Sequence, residues 1–294
     1  MSPVELDGPP SSLGLYARAA LGAVPLAGRL PFVAGGGGDI PSTELALDDV
    51  AVDPERLAEY CKVCGFTLRD SLPATYPHIL AFPLHMKLMT DPGFPFGAVG
   101  LVHITNRITQ HRPIAVGEHL RISVRSGGLE PHPKGKTFTL VSEARVDEEL
   151  VWVGESTNLR RGGGSESEPK PSGLPDPGAL SAEAEWPLGG DLGRRYAGVS
   201  GDRNPIHMYG VTAKAFGFPR QIAHGMWTKA RCVAALESRL PSAFTVEVAF
   251  RKPILLPSKV TFAASERSAK GEAEFGVRSA RDSKPHLAGR VSAV

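Results

Sequence analysis

Cysteine is scarce in this 294-residue chain: Cys61, Cys64 and Cys232 are the only three. Three thiols do not make a disulfide framework at this length, so a reducing compartment, the cytoplasm, is expected. Neither sign of charge is in excess. Thirty-three Lys and Arg against 31 Asp and Glu leave a formal charge of +2, with no long basic run. That excludes wholesale nucleic-acid binding as the main business of the chain. No stretch of 18 apolar residues occurs, so no membrane span is expected. The N-terminus, residues 1–7, lacks a basic region ahead of an apolar one and does not read as a secretory signal.

What is present is enough for a folded core: 41% hydrophobic and 22% charged residues. The length suits two domains of about 100–150 residues. Residues 161–178 are almost all Gly, Ser, Pro and charge, and residues 34–38 read Ala-Gly-Gly-Gly-Gly. Neither segment can build a core. The expected organisation is an arm over 1–38, a first domain over 39–160, a linker over 161–180 and a second domain over 181–294. In the arm, Leu13 to Leu30 has the pattern of an amphipathic helix, and a packing or frayed arm is the simpler expectation.

The two domains resemble each other in sequence. Tyr60 to Gly65 and Tyr196 to Gly201 share Y-x-x-V-x-G. Leu72-Pro73 before His78 matches Phe218-Pro219 before His224, and Arg112-Pro113-Ile114 matches Lys252-Pro253-Ile254. Three matches in one order argue for duplication. The copies differ between the first two matches: 17 residues separate Gly201 from Phe218, and 7 separate Gly65 from Leu72. The first copy thus lacks ten residues where the second carries Asn-Pro-Ile-His, and Ile79 stands where the second has Gly225. It is expected to keep the shape and lack the chemistry.

Periodicity gives the elements. Phe244, Val246, Val248 and Phe250 alternate as on a half-buried strand, and so do Leu120, Ile122 and Val124. Ala223, Met226, Trp227, Ala230, Val233 and Ala234 recur at helical spacing. Pro83 interrupts the corresponding pattern in the first copy, which leaves the start of that helix open. Each half reads as one long helix followed by antiparallel strands, an α+β layer arrangement. Cys61-x-x-Cys64 has half the ligands of a zinc site and no second half, so it reads as structural. His78, His85, His103 and His111 read as scattered histidines.

The chemistry lies in Tyr196-Ala-Gly-Val-Ser-Gly-Asp-Arg-Asn-Pro-Ile-His207. Asp202, Asn204 and His207 fall within six positions on a turn set by Gly201 and Pro205. A carboxylate and an imidazole held together are what proton transfer needs. This run, followed by Gly217-Phe218-Pro219 and His224-Gly225-Met226, closely resembles the MaoC-like dehydratase family, also called (R)-specific or type 2 enoyl-CoA hydratases. The two-copy layout resembles the double hot-dog members, and especially actinobacterial 3-hydroxyacyl-thioester dehydratases. The resemblance implies a hot-dog fold in each half, a helix wrapped by an antiparallel sheet. It implies reversible dehydration of (R)-3-hydroxyacyl thioesters to trans-2-enoyl thioesters in fatty-acid metabolism, a hydro-lyase reaction.

Asp202 and His207 then match the catalytic pair, and either of them can take the C2 proton. Asn204 matches the polar residue that holds the site, and Gly225 the glycine whose N–H meets the thioester oxygen. Such a donor is worth about 2.7–4 kcal/mol. Tyr196, Gly201, Pro205, His224 and Met226 are expected around the substrate, with packing or capping at the helix entry as the first reading of His224. Arg220, Arg251 and Lys252 are candidates for the phosphates of coenzyme A, with solvated surface charge as the alternative. No metal or redox cofactor is expected; coenzyme A or acyl carrier protein is part of the substrate. A homodimer is compatible with the sequence. Two rivals remain. A hot-dog thioesterase has no use for the D-x-N-P-x-H run, and a non-catalytic acyl-thioester-binding subunit predicts loss of Asp202 or His207.

Overall fold

A computed structural model describes residues 3–11, 14–16, 19, 38–164, 173–268 and 271–294. Most of the Leu13–Leu30 stretch and the middle of the 161–180 linker lie outside the described residues. Of that stretch, Leu15 and Ala19 are buried against Met86, with Tyr16 and Phe82 beside them. Among the described residues no helix is long and apolar enough to cross a membrane.

The strands are β1 (Val4–Glu5), β2 (Glu44–Val50), β3 (Leu101–Gln110), β4 (Leu120–Ser126), β5 (Glu130–His132), β6 (Gly135–Val146), β7 (Glu149–Arg161), β8 (Ala182–Leu188), β9 (Phe244–Phe250), β10 (Ser258–Ala264), β11 (Ala273–Ser279) and β12 (Pro285–Ala293). The helices are α1 (Pro54–Cys64), α2 (Tyr76–Met89), α3 (Leu192–Ser200), α4 (Pro205–Met208), α5 (Gly210–Ala215) and α6 (Gly225–Ala235). They divide into two compact units, neither contiguous. One draws on residues 1–52, 77–104 and 117–170, the other on 53–76, 105–116 and 171–294.

In the first unit the strands run in the order β1-β2-β4-β6-β7, with β5 beside β6. All these pairs are antiparallel except β1 with β2. Leu120, Ile122 and Val124 of β4 are fully buried, as their alternation predicts. Helix α2 runs straight through Pro83. Proline has no N–H to donate, so the i−4 carbonyl, that of Ile79, forgoes a helical bond. The histidines here are not scattered: His78 and His85 lie 5.2 Å apart ring to ring, and His78 and His103 stack at 6.3 Å. Helical spacing brings His78 and His85 to one face, and β3 supplies His103. His111 stays exposed. His85 Nε2 meets Ser142 Oγ of β6 at 2.7 Å, and burial pushes its pKa down to about 3.

In the second unit the order is β3-β9-β12-β11-β10-β8, antiparallel throughout. The central helix α6 is tied to this sheet by Lys229. Its fully buried amino group, whose pKa burial holds well below the ordinary lysine value, lies 2.5 Å from Asn106 Oδ1, 3.0 Å from Val246 O and 3.3 Å from Asn106 O. The shared Y-x-x-V-x-G motif proves to be a helix end. Gly65 closes α1 at φ 81° and Gly201 closes α3 at φ 78°, each donating its N–H to the carbonyl four residues back. The two motif tyrosines, Tyr60 and Tyr196, pack with ring centroids 6.3 Å apart. Cys61 and Cys64 are buried on α1; burial pushes the Cys61 thiol up to about 11 and the Cys64 thiol higher.

Hydrogen bonds correct the register of the second sequence match. Ser71 bridges Ala115, as Leu72 N–H donates to Ile114 O. Its counterpart is Ile222 bridging Leu255, as Ala223 N–H donates to Ile254 O. Six residues separate Gly65 from Ser71, and twenty-one separate Gly201 from Ile222. The second copy is therefore longer by fifteen residues, not ten. The Leu-Pro and Phe-Pro pairs do not coincide, because the extra loop ends four residues after Phe218.

Candidate active site

The site is built on that extra loop. After α3 stops at Gly201, Ser200 Oγ accepts the N–H of Asp202 at 3.1 Å. Asp202 Oδ1 accepts the N–H of Asn204 at 3.1 Å, and Asn204 Oδ1 caps α4 by accepting the N–H of Ile206 at 3.3 Å. These are successive side-chain-to-backbone turns, and Pro205 at the first helical position fits the start of α4. One turn later His207 points inward and is buried. Gly193 of α3 passes so close that a Cβ there would stand 2.0 Å from the His207 carbonyl oxygen.

His207 Nδ1 lies 2.8 Å from the carbonyl oxygen of Ile222. A carbonyl only accepts, so Nδ1 carries the hydrogen and Nε2 keeps its lone pair. His224, just ahead of α6, stacks on His207 with ring centroids 3.7 Å apart at 26°. Its Nε2 donates to the Asp202 carbonyl at 3.0 Å, by the same reasoning. Nδ1 is then its acceptor atom, buried with no hydrogen-bond partner among the described residues. Tyr196 packs against His224 at 4.9 Å.

Burial dominates the electrostatics. It lowers the pKa of His207, with the Asp202 carboxylate and the Ile222 bond opposing it. Burial and the neighbouring His207 push His224 down to about 3. Both rings are therefore neutral near pH 7. The 3.8 Å approach of His224 Nε2 to Asp202 Oδ2 is accordingly no ion pair at that pH. Burial raises the Tyr196 phenol, which stays protonated.

Gly225 opens α6, so its N–H has no intrahelical partner by position and sits at the positive end of the helix dipole. A Cβ at Gly225 would stand 3.0 Å from the Phe250 ring at the end of β9. Asp202, Asn204, His207, His224, Tyr196 and Gly225 thus come together. His224 makes no side-chain cap, because its ring is turned to the Asp202 carbonyl instead. Gly201 and Pro205 shape the loop, and Met226 is buried in the first turn of α6. Arg220, Arg251 and Lys252 are exposed. Arg251 and Lys252 directly follow Phe250, with their amides bound to the carbonyls of His286 and Pro285.

Sequence reasoning missed Gly193, Ser200 and Ile222. Ile222 acts through its carbonyl and Gly193 through the absence of a side chain, so neither carries a residue-type signal. Asp202, His207 and His224 also bring one potential ligand atom each within 4.8 Å of one another. Two imidazoles and a carboxylate suit a divalent cation as well as a proton relay. A surface cleft of about 560 Å³ between α1 and α3 contains none of these residues, and its wall mixes Arg56, Arg194 and Arg195 with Asp53 and Glu59.

A family model described as a MaoC like domain matches residues 179–282. The protein named 3-hydroxyacyl-thioester dehydratase X of Mycobacterium tuberculosis (strain ATCC 25618 / H37Rv) is 37% identical over 288 residues, which are 96% of this chain and 98% of that protein. The crystal structure of HtdX of M. tuberculosis superposes with a TM-score of 0.76 at 35% identity, covering 85% of this chain and 100% of that one. Another M. tuberculosis protein, described as having a double hot-dog fold, superposes with a TM-score of 0.57 at 14% identity, over 88% of this chain and 98% of that one. That last likeness bears on the fold alone. Motif, site geometry and relatives agree: the chain belongs to the MaoC-like dehydratase family, with the double hot-dog fold.

Proposed function

We propose that the protein catalyses the reversible removal of water from (R)-3-hydroxyacyl thioesters, giving trans-2-enoyl thioesters. In this reading the second copy, 181–294, carries the reaction. The first copy, 39–160, keeps the scaffold, with 1–38 an arm and 161–180 a linker. These limits describe the duplication, while the compact units interleave across them. The observation that carries the reading is the state of His207. Its Nδ1–H is held by the Ile222 carbonyl, its ring is neutral, and its Nε2 lone pair is left as a base beside Asp202.

His207 Nε2 takes the C2 proton, and the electron pair of that bond forms the C2–C3 double bond. The C3–O bond breaks, and the hydroxyl leaves as water with the proton that His207 Nε2 took from C2, which restores the neutral ring. The Asp202 carboxylate beside it favours the imidazolium formed between the two transfers. Negative charge builds on the thioester oxygen meanwhile and is met by the Gly225 N–H. Asn204 keeps Asp202 and His207 in register through its cap. Arg220, Arg251 and Lys252, all exposed, are assigned to the phosphates of the carrier. Beyond coenzyme A or acyl carrier protein as part of the substrate, the reaction draws on no cofactor. We assign it to the cytoplasm.

Hydration of crotonyl-CoA, followed by loss of enoyl absorbance, tests this directly. D202N and H207Q are each expected to lose about 10²–10⁴-fold in kcat, with unchanged circular dichroism. Wild-type turnover that frees a thiol instead of consuming the enoyl signal indicates a thioesterase. Binding without turnover indicates a carrier subunit. Unimpaired D202N and H207Q sink the assignment.

A further inference from the structure

In the dehydratase reading only the first part of the longer Gly201–Ile222 loop, Asp202 to His207, supplies reacting groups. The rest, Met208 to Pro219, carries α5 and exposes large apolar side chains: Tyr209 is 55% exposed, Val211 82% and Phe216 37%. The other exposed large hydrophobics among the described residues are Val4, Leu68 and Val294, far apart in sequence. Helix α5 has six residues and spans about 9 Å. Tyr209 and Phe216 are its two caps, so the three exposed side chains lie on one short segment.

The segment is held rigidly to the catalytic loop. Thr212 Oγ1 donates to Pro205 O at 2.6 Å, and Arg194 donates to Met208 O at 3.0 Å with its guanidinium 5.1 Å from the Tyr209 ring centre. Its charge has one sign. From residue 203 to 236 the sequence contains no Asp or Glu. Arg203, Lys214 and Arg220 are exposed there. Lys214 and Arg220 have no ion pair among the described residues.

An exposed apolar segment whose own charges are all positive, beside a candidate catalytic loop, fits a partner that is acidic and apolar in turn. We infer that residues 208–220 dock an acidic acyl carrier protein, which delivers the thioester on its phosphopantetheine arm. This rests on the dehydratase reading and names the carrier. Coenzyme A needs cations for its phosphates but has no use for an exposed Val211. A protein carrier must rest its body beside the site while the arm enters.

The test compares one enoyl group on acyl carrier protein and on coenzyme A, using the full chain and a V211E/K214E variant. Neither residue belongs to the reacting machinery. Wild type is expected to prefer the protein-bound substrate, with a kcat/KM that falls as salt rises. The variant is expected to lose about tenfold or more in kcat/KM on the protein-bound substrate, and to stay within about twofold on the CoA thioester. Equal effects on both substrates, or none on either, overturn the proposal. So does wild type with no preference for the protein-bound substrate. A variant that loses only flotation with anionic phosphatidylserine vesicles, or only self-association in sedimentation, also overturns it, in favour of a lipid surface or a second copy. Failure of wild type on both thioesters is a different result: it removes the dehydratase reading itself.

Discussion

At the scale of single residues, the site depends on atoms that residue types do not reveal. The Ile222 carbonyl fixes the tautomer of His207, and burial keeps the ring neutral below its ordinary titration range. Activity is therefore expected to hold as pH falls through about 6.5, the reference value for histidine, and to decline only below it. A kcat profile whose acid limb lies at or above that pH contradicts a depressed His207. Gly193 gives a sharper case. Glycine to alanine in a helix is ordinarily stabilising, by about 0.4–1 kcal/mol. Here the added Cβ falls 2.0 Å from the His207 carbonyl, against backbone that cannot yield cheaply. G193A is expected to lower both the urea midpoint and kcat; a more stable, fully active variant would show that the loop and α3 are not in contact. The juxtaposition of Asp202, Asn204 and His207 was legible because the three fall within six positions on one turn, whose bonds the Asp202 and Asn204 side chains make. Ile222 and Gly193 were not, since a carbonyl and a missing methyl group leave no mark in sequence.

Among the elements, β4, β9 and the central helix of the second unit were readable from alternation and helical spacing, although β9 is buried on both faces, with Thr245 and Ala249 covered as well as Val246 and Val248. The Y-x-x-V-x-G motif was readable as a repeat but not as a helix end, which depends on the left-handed φ of Gly65 and Gly201. The length of the catalytic loop was underestimated, since matching Leu-Pro to Phe-Pro aligned two pairs that occupy different places. Only the paired bridges at Ser71 and Ile222 set the count. Nor did sequence flag Lys229, whose amino group is buried on an apolar helix and held by oxygen acceptors of β3 and β9. K229A is expected to cost about 2–5 kcal/mol in urea unfolding, from the cavity and the orphaned acceptors. K229M fills the space and leaves the acceptors unmet, so it is expected to fall between K229A and wild type. A change under about 0.5 kcal/mol in K229A, the range of ordinary surface substitutions, would mean the lysine is not sealed from water.

For the whole molecule, stability is tied to acid through buried neutral histidines. His85 and His224 have pKa values near 3 in the folded state, and His207 is lowered too. The unfolded chain titrates them near 6.5. Between those values it binds protons that the folded protein does not, so stability falls as pH falls, by about 1.4 kcal/mol per pH unit for each group. His85 and His224 alone imply a loss of roughly 4 kcal/mol between pH 6.5 and 5. Urea midpoints measured across that range check this, and H85F is expected to flatten the slope; a flat wild-type curve would mean these rings are charged or wet when folded. The sequence by itself determined the duplication, the α+β layers, the family and the residues proposed to transfer protons, because those rest on side-chain type and period. Tertiary structure decided which nitrogen of His207 keeps its lone pair, how far the loop extends, and that three of the four first-copy histidines meet in one cluster. Those outcomes depend on where backbone carbonyls and glycines from distant segments come to lie, and one-dimensional order carries no distance between them.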